Sequence, residues 1–219
     1  MARSGTFPRY LLFLSGVIFT ALGISLITLS GMGTSAVSSL AYVLTYLQPA
    51  LSFGVASLTI NLLMFLGQIL ILGRRFAPIQ LLQVPATVLF SMGIDLWMAL
   101  LAPLVPGSYA GRWVVLLLGC VVLGFGVAQQ VVPDVLILPC EGIVRAASQT
   151  YGWDFGKTKT CYDVGMVSTA ALLSLLGLGK ICGLREGTLV CALITGTISR
   201  FFCRRLAPVA AAWRDTPLA

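Results

Sequence analysis

LPCEGIVRAASQTYGWDFGKTKTCYD, residues Leu138 to Asp163, gathers Glu141, Arg145, Asp154, Lys157, Lys159 and Asp163 into one stretch of a chain with only 14 basic and 7 acidic residues in 219. Apolar runs, Trp113–Val132 and Tyr162–Leu178, lie on either side of it. Its first part, Val135–Ser148, is apolar enough for a membrane. At 1.5 Å per residue it reaches only about 21 Å, short of a hydrocarbon core of roughly 30 Å. Ala36–Leu47 (AVSSLAYVLTYL) is similarly short. Both are expected to be half-helices or re-entrant segments, which are tolerated at membrane depth only where protein or a watery cavity satisfies their backbone.

Composition sets the frame for that reading. The chain is 58% hydrophobic and 10% charged, with a mean hydropathy of +0.98, whereas soluble domains carry about 25% charge. The apolar runs are continuous rather than alternating, which excludes a β-barrel. The predicted fold class is an all-α, polytopic transmembrane helix bundle of about six spanning helices plus two short re-entrant or half-helices. The spans are Tyr10–Leu29, Phe53–Leu72, Ile79–Leu104, Trp113–Val132, Tyr162–Leu178 and Gly187–Cys203. Tyr10–Leu29 is too long for a signal-peptide core and is read as a retained helix.

The order of features repeats. Each half runs long helix, short segment, Phe-Gly, long helix, helix. Phe53-Gly54 answers to Phe155-Gly156, and Asn61 to Asp163, eight residues after each Phe. GMGTS answers to LPCEG, and PIQLLQVPATVLFSMG to GLREGTLVCALITGT. The division is an N-terminal tail (1–9), a first membrane repeat (10–104), a connecting loop (105–111), a second repeat (112–203) and a basic tail (204–219). Three spans per repeat is an odd number, so the second copy is expected to be inverted, a plan common among secondary transporters.

Charge fixes orientation. With the N-terminus cytoplasmic and six crossings, Arg3, Arg9, Arg74, Arg75, Lys157, Lys159, Arg200, Arg204, Arg205 and Arg214 fall inside. Arg112, Lys180 and Arg185 fall outside, and Arg145 lies in the membrane. If both short segments span, the split is nine to four. Both counts put the N-terminus inside, so charge leaves six or eight segments open. Because the basic residues flank membrane helices, the net charge of +7 points to the bilayer rather than to nucleic acid.

GMGTSAVSSL, then SFG, then Asn61 in the following helix, resembles the YitT/YczE-type bacterial integral membrane proteins. LPCEG stands where a GGTD-like motif falls in that family, and Asp163 at its helical Asp. Pro139-Cys140-Glu141-Gly142 keeps the acid and one Gly but loses the paired Gly. The likeness covers about residues 10–203. It implies a multi-pass architecture in a bacterial plasma membrane and no particular activity.

The candidate site residues are Glu141, Arg145, Asp163, Asn61, Gly33, Thr34, Ser35, Lys157, Lys159 and Gln130. An ionisable group at membrane depth is costly and is by default a functional candidate. Glu141 and Arg145 are four apart on a helix and can pair; they either neutralise one another or line a cavity. Asp163 is either the N-terminal cap of its helix or, as the counterpart of Asn61, a site on the repeat axis where a coupling proton binds. Gly33, Thr34 and Ser35 form either a plain turn or a half-helix N-terminus able to bind an anion. Lys157 and Lys159 are flank charges or solute ligands. Gln129, Gln130 and Pro133 are expected to unwind the end of the preceding helix.

Six scattered cysteines without CxxC, and no histidine, predict no metal and no cofactor. No Ser–Lys dyad or nucleotide motif is present, so no enzyme activity is expected. The leading expectation is a transporter or permease for a small anionic or zwitterionic solute, proton-coupled through Asp163. The alternatives are an accessory, sensor or lipid- or partner-binding membrane protein, and a lipid transferase working with carboxylates alone.

Overall fold

The computed structural model describes residues 6–214, with side chains over 7–208. Residues 1–5, including Arg3, and 215–219 lie outside the described residues. The chain folds into α1 (Thr6–Leu29), α2 (Ser39–Leu47), α3 (Phe53–Leu72), α4 (Gln83–Leu101), α5 (Tyr109–Val131), α6 (Pro139–Tyr151), α7 (Phe155–Leu178) and α8 (Glu186–Arg214). Among the described residues there is no strand. The protein is an all-α membrane helix bundle.

Phe7–Leu29, Phe53–Arg75, Pro78–Leu104, Tyr109–Val131 and Phe155–Leu178 are long and apolar enough to cross a bilayer. Their outer faces are oily, with Leu70 83% and Leu176 76% exposed, as lipid contact requires. α8 has 29 residues, ample to cross, but its apolar part ends at Arg200. It follows α5 along its length: Leu116 lies against Gly187, Gly124 against Ile198, and the Phe125 and Phe202 rings are 5.1 Å apart. Both numbers rise together, so α5 and α8 run parallel. After α5 the chain must therefore cross the membrane an odd number of times before α8 begins. α7 supplies that crossing, and α6, at 13 residues, does not span. The parallel pair fits a single crossing between α5 and α8, by α7, with α6 not a span.

Local chemistry moves several boundaries. α7 starts at Phe155 and not at Tyr162, because Asp154 caps it by accepting the Lys157 N–H at 2.9 Å. A carboxylate there also meets the positive end of the helix dipole. Gly152, left-handed at φ 70°, closes α6 just before it. α2 starts at Ser39 rather than Ala36. α8 continues through Pro208 to Arg214, so the basic tail from 204 is helical over much of its length. α5 runs unbroken through Gln129 and Gln130, which corrects the expectation of an unwound end.

α1 and α5 form the centre, crossing antiparallel. A Cβ on Gly16 would stand 2.8 Å from the Gly126 carbonyl oxygen. One on Gly23 would stand 2.5 Å from the Leu123 nitrogen, and one on Gly119 would stand 2.9 Å from the Ile27 nitrogen. The ends are tied too: Arg9 Nε donates to the Pro133 carbonyl at 2.9 Å, and the Arg112 guanidinium lies against Gly31. The outer contacts come in exchanged pairs. α1 packs on α4 as α5 packs on α8, and α3 packs on α6 as α7 packs on α2.

A side chain at the crossing must separate two backbones. Gly126→Val is expected to cost on the order of 3 kcal/mol or more, given the 1–3 kcal/mol typical of overpacking, and to lower folded yield and melting temperature. Gly165→Val is expected to shift neither, since a Cβ there meets nothing within 4 Å. Size-exclusion profiles and thermal unfolding in detergent check both.

Candidate functional site

A cavity of about 320 Å³ lies where the halves meet. α1 contributes Thr20 and Ile24, α3 Ser57 and Asn61, α5 Leu123 and Gln130, and α8 Cys191, Thr195 and Ser199. The starts of both short helices reach it, Ser35 to Ser38 before α2 and Leu138 to Glu141 at α6. Two helix N-termini thus enter one chamber, each the positive end of its helix dipole, although at α6 the Glu141 and Gly142 N–H groups are bonded to the Leu138 carbonyl.

The charged residues of the lining are Glu141, Lys159 and Asp163. Lys159 Nζ is 2.9 Å from Asp163 Oδ1 and 4.0 Å from Glu141 Oε1. The three side chains retain only 23–29% exposure. Lys159 and Asp163 meet because α7 begins early and places them one turn apart, four residues on one face. Asp163 is therefore not the cap of α7, a role Asp154 takes. Two carboxylates around one ammonium leave the chamber one negative charge in excess.

Asn61 is 4% exposed and faces the chamber from α3, its amide donating to the Ser57 carbonyl at 2.9 Å. Gln130 is buried in the wall, donating to the Gly16 carbonyl at 3.2 Å and to Thr20 Oγ1 at 2.5 Å. Ser35 lines the chamber and donates to Ser38 Oγ at 3.0 Å.

The remaining candidates lie elsewhere. Arg145 is exposed and pairs with Asp134 at 3.2 Å instead of with Glu141. The buried face of α6 is Pro139, Cys140, Gly142, Val144 and Ala146, and Arg145 projects away from it. Lys157 is exposed at the start of α7. Gly33, at φ 117°, packs on Arg185 and Thr188. The Thr34 N–H donates to Thr188 Oγ1 at 3.2 Å and its hydroxyl meets Thr28 Oγ1 at 2.8 Å. The N–H of Thr34 is used in holding the chain to α8 and its hydroxyl in holding it to α1.

Sequence reasoning missed Asp95 as a structural residue. It caps α3 from α4, accepting the Gly54 N–H at 2.7 Å and the Ser52 hydroxyl at 2.6 Å. A first turn of α3 without an acidic residue of its own was the available signal. Cys140 and Cys191 are buried in the chamber wall, while Cys161 is exposed. Among the described residues no cluster of Cys, Asp and Glu is arranged to hold a metal ion.

Fold and site together define a multi-pass integral membrane protein with a charged internal chamber. The chain belongs to a family of unknown function, DUF6198, whose family model matches residues 7–204. No curated protein and no solved structure matches it, and nothing in these comparisons ties it to the YitT/YczE-type proteins.

Removing Lys159 leaves two carboxylates facing each other. Lys159→Met is expected to destabilise by on the order of 1–3 kcal/mol, less than a fully buried pair would lose because the group retains some solvent. Adding Asp163→Asn is expected to recover most of that loss. Arg145→Ala, which removes an exposed pair, is expected to stay within about 1 kcal/mol. Thermal unfolding of the three variants in one detergent measures the order.

Proposed function

We propose that the protein is a membrane transporter for a small polar solute, built as two inverted repeats around the chamber. The observation that carries this reading is the Glu141–Lys159–Asp163 group, held at the junction of the halves where both short helices begin. Charge at membrane depth is maintained where it binds something. Broken or short helices whose N-termini meet a solute at the repeat interface are a recurrent transporter design. The glycine contacts support the inversion. Gly16 and Gly23 occupy positions 103 residues before Gly119 and Gly126, and Gly16 meets Gly126 as Gly23 meets the segment of Gly119. Arg9 and Arg112 stand in the same relation. Reciprocal contacts of this kind are what a two-fold axis generates.

Of the two solute classes the sequence admits, a zwitterion suits the lining better than a simple anion. Arg145 and Lys157 lie outside the chamber, and Lys159 is outnumbered by carboxylates. An ammonium between Glu141 and Asp163, with the anionic end toward Lys159 and a helix N-terminus, gives each charge a partner, and the excess negative charge that remains is what a coupling proton would neutralise. Asp163 is the proposed coupling residue, taking up the proton as Lys159 turns to the solute. The Lys/Arg distribution supports a cytoplasmic N-terminus in a plasma membrane, and the reading requires no chemistry on the solute.

The test is uptake of labelled amino-acid-like zwitterions into liposomes holding the purified protein, with and without a proton gradient. Flux driven by the gradient is expected in the wild type. Asp163→Asn is expected to keep the fold, to reduce gradient-driven flux at least tenfold and to flatten its pH dependence. Wild-type activity in Asp163→Asn would remove Asp163 from coupling.

A further inference from the structure

The two halves are not packed alike. In the first, α3 rests against α4; in the second, the corresponding helices α7 and α8 make no more than marginal contact. Both nevertheless line the chamber, α7 with Lys159, Thr160 and Asp163 and α8 with Ala192, Thr195 and Gly196. Thr160, Ala192 and Gly196 line the chamber and are themselves exposed. A Cβ on Gly196 would meet nothing within 4 Å. Two helices that line the chamber yet scarcely touch leave it unsealed between them. The surrounding surface is oily: Leu193 is 78% and Leu189 67% exposed on α8, and Val164 58% on α7.

A water-soluble solute gains nothing from an opening that faces hydrocarbon. An amphiphile does, because its charged head can pass into the chamber while its chains stay in lipid. We infer that the substrate is an amine-bearing zwitterionic amphiphile of the membrane, its headgroup held by Glu141, Lys159 and Asp163 and its tails leaving between α7 and α8. The size agrees: about 320 Å³ accommodates a headgroup-sized ligand at the lower end of ordinary pocket volumes, not a whole lipid. The charges agree as well. A headgroup ammonium answers the two carboxylates, and a phosphate answers Lys159 and the N-termini of α2 and α6. This inference rests on the transport reading and adds the route by which the substrate arrives.

The experiment compares two probes in liposomes containing the full chain. One is phosphatidylethanolamine carrying a fluorophore on its acyl chain, whose movement between leaflets is followed by chemical quenching from outside. The other is glycerophosphoethanolamine, the same headgroup without tails, followed by uptake. The wild type is expected to move the lipid at least tenfold faster than protein-free liposomes. Gly196→Phe, which fills the opening, is expected to abolish lipid movement while glycerophosphoethanolamine still enters. Ala192→Phe, on the same rim, provides a second plug should the first fail to fold, and Leu193→Phe, on the lipid face, is expected to leave both fluxes unchanged. Movement of glycerophosphoethanolamine without movement of lipid would overturn the lateral route and leave the transport reading standing. Lipid movement that persists in a folded plugged variant would also overturn it. If neither probe moves in the wild type, the amphiphile reading falls, and the transport reading is decided by uptake of the amino-acid-like zwitterions.

Discussion

The close antiparallel crossing of α1 and α5 is the constraint on which the rest depends. Without a hydrophobic force between helices in lipid, association relies on backbones coming near enough for dispersion contact, which small residues permit. Gly16, Gly23, Gly119 and Gly126 each give up a side chain for that approach. Once the two helices are locked, their partners have fixed places: α4 and α8 flank the crossing, and each short helix packs on a long helix of the other half. The short helices can then stop at mid-depth. Their beginnings meet in a chamber whose lining is mostly apolar and whose polar side chains in part hydrogen-bond within the protein, such as Gln130 to α1 and Asn61 along α3.

The chamber keeps three charges because they sit where the bundle holds them together and solvent still reaches them. Lys159 carries both carboxylates, at 2.9 and 4.0 Å, so any ligand that engages Glu141 or Asp163 must compete with it. In the proposed transport cycle that competition would be a means of coupling, the ammonium of an incoming zwitterion displacing Lys159 from one carboxylate and freeing it for the anionic end. The exposed pairs, Arg145 with Asp134 and Arg185 with Glu186, have no such consequence, being screened at the surface.

The bundle and its two short segments were legible in the sequence because length and apolarity are one-dimensional signals. The chamber was legible in part. Asn61, Asp163 and Glu141 stand out as polar groups in oily segments, Lys159 and Ser35 as a flanking cation and a turn residue and Gln130 as a polar residue near a helix end, and the fold brings all six to one space. The errors share a cause. Setting the start of α7 at Tyr162 hid the four-residue spacing of Lys159 and Asp163, so Arg145 was chosen as the partner of Glu141. The apolar face of α6 through Cys140, Val144 and Ala146 held the correction, since Arg145 lies opposite to it. The α1–α5 contact was not legible from spacing alone. Seven-residue glycine pairs occur in both helices, but only the fold shows that each pair meets the other in reverse order.

The arrangement requires α2 and α6 to enter the membrane from opposite faces. Single cysteines placed at the exposed positions Gln48 and Tyr151, in a chain whose native cysteines are replaced, test this with a membrane-impermeant thiol reagent applied to intact cells and to inverted vesicles. Labelling of Gln48→Cys in cells and of Tyr151→Cys in inverted vesicles only is the predicted result. Labelling of both positions from the same side would contradict the inverted halves, and with them the chamber as a junction between two repeats.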